Sequence, residues 1–165
     1  MTRLTLATLC LLLIGGCGYR TVTNSGNYRD DVRTIAISAA ASARSDLDVP
    51  GELSAAVVRA VEARTPFRSA PPSEADTLLE VVITSYGIGT GRRSNETRLP
   101  LQQSAGVRAD VTWTDLRTGE TLLELGDVYG RGELFPTLGE GRPIARRDAA
   151  EALAQAIADE LAARW

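Results

Sequence analysis

Hydrophobic positions along the chain fall into patches of different period. An apolar run fills Leu4 to Ile14. Val32, Ile35 and Ile37 then stand in a β-branched setting, which predicts a first strand over Asp31 to Ser38, and the Ala/Ser stretch behind it reads as a loop. In "ELSAAVVRAVEART" Leu53, Ala56, Val57, Ala60 and Val61 recur at helical spacing, while Glu52, Arg59 and Glu62 fall outside the stripe. This predicts an amphipathic helix ended by Pro66. Phe67 to Ala70 adds a short extended segment, and Pro71-Pro72-Ser73 breaks the chain. "ADTLLEVVITSYGIG" is apolar around Leu79, Val81, Val82 and Ile83, predicting a strand buried on both faces in its middle.

Gly89 to Ser104 has no period and reads as a long loop. In "GVRADVTWTDL" Val107, Ala109, Val111 and Trp113 alternate with Arg108, Asp110, Thr112 and Thr114, so one face enters a core and the other meets water. "LRTGE" supplies a turn, and "TLLELGDVYG" returns as the partner of an antiparallel hairpin. A Gly/Pro-rich stretch from Gly130 to Pro143 leads to a last helix, where Ala149, Leu153, Ala156, Ile157 and Leu161 keep helical spacing beside a strip of alanines. Charges in every turn exclude a membrane span there. The order β-α-β-β-β-α predicts an α+β fold, a two-layer α/β sandwich with two helices on one face of a mixed, roughly four-stranded sheet. Its other face is left to solvent or a partner.

The first run is too short for a bilayer, which needs roughly 20 helical apolar residues. Arg3 before it and small residues behind it describe an export signal. Ile14-Gly15-Gly16-Cys17 resembles the bacterial lipobox, which implies cleavage before Cys17 and a lipid on its thiol. The expected organisation is a signal peptide over 1–16, a lipidated tether over 17–31 and a single domain over 32–165. Gly18 stands where an Asp would signal inner-membrane retention in enterobacteria, so the expected location is the outer membrane, lipid-anchored on its periplasmic side.

Composition narrows the chemistry. The chain has no His, and its other cysteine, Cys10, lies within the signal, so disulfides and thiolate metal sites are not expected. Without His the commonest general base and metal ligand are missing. Every basic residue is Arg, which removes lysine chemistry too. Glu133, Glu140 and Asp148 lie in or beside a Gly-rich stretch with no partner base, and "GIGTGRRSN" lacks the Lys and following helix of a phosphate loop. No catalytic residue, metal ligand or cofactor is therefore assigned. A net charge of -3 argues against bulk nucleic-acid binding.

The order of motifs carries a resemblance. "CGY" (Cys17 to Tyr19), the helix ending "RTPFR" (Arg64 to Arg68), Ala75-Asp76 opening a strand, the hairpin "WTDLRTGETLLE" (Trp113 to Glu124) and the terminal "AEALAQAIADELAARW" together resemble the LptE family. Those are lipoproteins of the outer-membrane lipopolysaccharide translocon. The resemblance implies an LptD-like β-barrel as partner, a role as its plug and assembly aid, and contact with lipopolysaccharide. Arg92, Arg93 and Arg98, in the stretch read as a loop, are the candidates for that contact, because guanidinium groups give phosphates paired, charge-assisted hydrogen bonds. A similar hairpin occurs in LpoB-like activators of peptidoglycan synthases, which leaves an envelope regulator or scaffold as the alternative.

Overall fold

The structure is a computed structural model and describes residues 31–41, 49–139 and 141–164. Strand β1 (Thr34–Ala41) leads to helix α1 (Val49–Arg64), then β2 (Arg68–Ser69), β3 (Thr77–Thr90), β4 (Gln103–Asp115), β5 (Thr121–Leu134), a short 3-10 turn (Pro136–Leu138) and helix α2 (Arg142–Arg164). The sheet runs β2-β1-β3-β4-β5. β1 is parallel to β2 and β3, while β3, β4 and β5 are antiparallel neighbours. The α+β class and the element order are those predicted, with the Phe67–Ala70 segment supplying a two-residue fifth strand.

Among the described residues, helices cover one sheet face and not the other. Leu79, Val81 and Ile83 on β3 and Val107, Ala109, Val111 and Trp113 on β4 are buried in a single core with Leu53, Val57 and Val61 of α1 and Ala149, Leu153 and Ile157 of α2. Trp113, at its centre, meets Phe67 edge-on with ring centroids 5.4 Å apart. α1 ends where Thr65 turns its hydroxyl back to the Val61 carbonyl at 2.7 Å, with Pro66 next.

Several expectations change. The Ala/Ser stretch is not a loop at its start: β1 continues to Ala41, because Ala39 to Ala41 pair with Val81 to Ile83. The middle of β3 is buried on one face only, and Val82 is 41% exposed on the side without helices. Gly130 to Leu134 belong to β5, so Glu133 lies on a strand.

The strand placement of Gly130 and Gly132 has a steric cause. A methyl built on Gly130 would lie 2.5 Å from Leu153 N and against Ala149 O, and one on Gly132 would lie 2.7 Å from Ala149 N and against Ala145 O. α2 therefore rests its backbone directly on β5. Only glycine on the strand permits that approach.

Candidate functional site

β3 and β4 continue past their paired ends as a hairpin arm. Gly91 N–H donates to Gln102 O at 2.9 Å, Leu101 N–H to Arg92 O at 2.8 Å and Ser94 N–H to Leu99 O at 2.9 Å. Arg93 bridges Pro100. The Ser94 hydroxyl accepts from Glu96 N–H at 3.3 Å and Thr97 N–H at 3.2 Å, which closes the tip. Arg98 takes the left-handed conformation at φ 59°. The stretch read as a long loop is thus a built turn. Its hydrogen bonds come from turn residues, which no hydrophobic period reveals.

This tip brings together the three candidate arginines. Arg92, Arg93 and Arg98 are exposed, and none makes a side-chain ion pair among the described residues. Leu99 is 63% exposed and Leu101 37% beside them. The register Thr90↔Gln103↔Leu134 places the end of β5 at the same end of the sheet. Exposed Phe135 and Leu138 follow β5 and exposed Ile144 lies in the first turn of α2, an apolar contribution that sequence reasoning missed because it treated that stretch as connection alone. Gln102 Nε2 donates to Glu133 Oε2 at 3.0 Å, tying the arm's base to β5. The end of the sheet therefore combines cationic guanidinium groups with apolar side chains, a surface suited to an anionic amphiphile.

The opposite end is a carboxylate clasp. Asp76 Oδ2 accepts from the backbone N–H groups of Arg33 and Thr34 and from the Thr34 hydroxyl, each at 2.9 Å. These bonds, the Arg33 amide first, hold the Asp76 carboxyl below its usual range. Asp115, with its side chain fully buried, is held low by the Arg117 guanidinium at 3.0 Å and by the N–H groups of Arg117 and Thr118. Arg117 also reaches Asp31 at 2.8 Å, and its pKa is raised, by Asp115 first. The clasp joins the start of β1 to the β4–β5 turn. Its carboxylates are tied up structurally rather than offered to substrate.

The remaining candidates separate. Asp148 lies on α2, 4.0 Å from Arg147 Nε. Ile14, Gly15, Gly16 and Cys17 lie outside the described residues, as do Gly18, Tyr19, Glu140 and Trp165. Among the described residues there is no group of three metal-ligating side chains, and no helix is long and apolar enough to cross a membrane.

Fold and site together define a two-layer α+β domain with a basic, leucine-flanked arm at one end of its sheet. A model of the lipopolysaccharide-assembly family LptE matches residues 32–165, and the chain belongs to that family. It is a family of non-enzymatic envelope lipoproteins associated with lipopolysaccharide transport and the LptD barrel. The chain has no significant match among curated proteins.

Among solved structures, an uncharacterized lipoprotein B from Nitrosomonas europaea is similar at 14% identity and TM-score 0.54, over 80% of this chain and 83% of that one. This likeness shows the fold alone. The PelC dodecamer from Paraburkholderia phytofirmans is similar at 14% identity and TM-score 0.47, over 77% and 86% of the two chains.

Proposed function

We propose that this lipoprotein is anchored through a lipid on Cys17 in the inner leaflet of the outer membrane, sits as a plug in an LptD-like β-barrel and assists its assembly. In that position Arg92, Arg93 and Arg98 contact lipopolysaccharide. The observation that carries the contact is the arm tip, where three guanidinium groups without acidic partners among the described residues stand beside exposed Leu99 and Leu101. Phosphates attached to an acylated sugar match both features, since the guanidinium forks bind the phosphates and the leucines meet apolar chain. Family membership supports the wider role.

The test replaces all three arginines with serine and measures lipopolysaccharide binding by the full chain in detergent. The reading predicts a loss of at least tenfold in affinity with the fold intact. Unchanged affinity would end the contact assignment. Recovery of a peptidoglycan synthase in place of a barrel would move the role to the LpoB-like alternative.

A further inference from the structure

The glycines of the sheet differ in what they are for. Gly130 and Gly132 are required by the α2 backbone, and at Gly106 an added methyl would lie 2.9 Å from Tyr129 Oη and displace that side chain from its place over the strand. Gly87 has no such reason. A methyl there would meet nothing within 4 Å, and at Gly89 it would make only an ordinary contact of 3.5 Å with Ser104 Oγ. Glycine inside a strand weakens it, and where packing does not demand it a common cause is close approach of another molecule.

Both glycines open onto one cavity. After the bulge that separates Ile83 from Ser85, β3 turns Ser85, Gly87 and Gly89 to the helix-free face, opposite Arg108, Gly106 and Ser104 of β4. These residues, with Tyr86 and Tyr129, line a trough of about 320 Å³. That volume lies at the low end of small-molecule sites, roughly 300–1,000 Å³.

The lining indicates the ligand's chemistry. Arg108 grips Asp127 through both carboxylate oxygens, at 2.7 and 2.6 Å, so the wall carries no net charge to attract an anion. The same guanidinium lies 4.9 Å from the Tyr129 ring centroid, and Tyr129 stays 46% exposed. Two serine hydroxyls, a phenol, a neutralised ion pair and bare backbone suit a neutral polyol that both donates and accepts hydrogen bonds. An aliphatic chain would leave these groups unpaired.

We propose that this trough is a saccharide subsite. Resting on the reading of the arm as the lipopolysaccharide contact, its occupant is the sugar portion of the same molecule. Arg93, four residues after Gly89 and so on the same face in the continuing register, lies roughly 13 Å along the extended chain, so a phosphate held there places adjoining sugars over the trough.

Titration of the full chain in detergent with core oligosaccharide freed of its lipid and its phosphates tests the subsite. Saturable binding, weakened at least tenfold by Gly87→Val with an unchanged Tm, is expected, because the new side chain projects into the trough from a position where an added methyl meets nothing within 4 Å. Should that variant unfold, Tyr129→Ser provides the same comparison. No oligosaccharide binding, or equal binding by the folded variant, would overturn the subsite. If intact lipopolysaccharide still bound through the arginines, the proposed function would survive that loss. Preferential binding of peptidoglycan glycan strands would overturn the assignment to lipopolysaccharide sugar.

Discussion

Thr34 and Asp76 bind each other in both directions across the start of the sheet: Asp76 N–H donates to the Thr34 hydroxyl at 2.9 Å, and that hydroxyl donates to Asp76 Oδ2 at 2.9 Å. Asp76 O also accepts from Leu116 N–H at 2.9 Å, so one residue joins β1, β3 and the β4–β5 turn. Asp76→Ala should destabilise the domain by about 1.5–3 kcal/mol, a typical loss for bonds to a charged acceptor. Chemical denaturation, with an unchanged m-value, would measure it. An unaltered midpoint would show the clasp to be dispensable.

The same clasp gives stability a pH dependence. Asp76 and Asp115 both have folded pKa values below the ordinary 3.8. A depressed carboxylate contributes stability that is fully present above its unfolded pKa and is lost as pH falls through its folded one. The contribution should therefore hold above about pH 5 and decline below about pH 4. Comparing the pH dependence of Tm for the wild type and Asp76→Asn checks the sign. The variant should flatten the acid limb, and identical curves would remove Asp76 from the explanation.

At the β5–α2 contact, Gly132→Leu should be among the most damaging single changes. Its side chain would drive into the Ala145 and Ala149 backbone, which cannot move aside as a side chain can. Overpacking typically costs about 1–3 kcal/mol, and a backbone obstacle should place this variant at or above the top of that range. Wild-type urea stability would show that α2 does not rest on the strand.

Trp113→Ala should cost about 3–5 kcal/mol, the usual effect of removing a large aromatic from a packed interior. Phe67 would lose its edge-on partner, so Phe67→Ala and Trp113→Ala should combine non-additively in a double-mutant cycle. Additive losses would mean the two rings act separately.

What could be read before folding follows from where each signal originates. β4 was legible because Val107 to Trp113 alternate without interruption, and the period of a strand is set by its own backbone. The α1 boundary was legible for a similar local reason, since Pro66 acts on its immediate neighbours. The exposure of Val82 was not, because an apolar run looks the same whether helices cover one sheet face or both. Gly130 and Gly132 looked like loop residues, and their strand role depends on a helix more than ten residues further on. The alanines at the end of β1 have weak strand preference and pair only because β3 lies alongside. In the candidate site the arginines were recognisable by composition, whereas their setting on a closed turn depends on Ser94 and the register of two strands. The trough was hidden for the same reason, as it arises from bringing Gly87, Gly106 and Tyr129 together across three strands.

Anchoring is tested separately from folding. Cys17→Ser should leave the domain folded but shift the protein from the membrane to the soluble periplasmic fraction. Continued membrane partitioning would leave the lipid on Cys17 unsupported.

The proposed partner of this lipoprotein is a lipopolysaccharide-transport barrel. Affinity purification of the full-length lipoprotein from its own envelope, solubilised in mild detergent, tests it most directly. A very large outer-membrane β-barrel should be recovered in stoichiometric amount. Recovery of a peptidoglycan synthase without that barrel would contradict it.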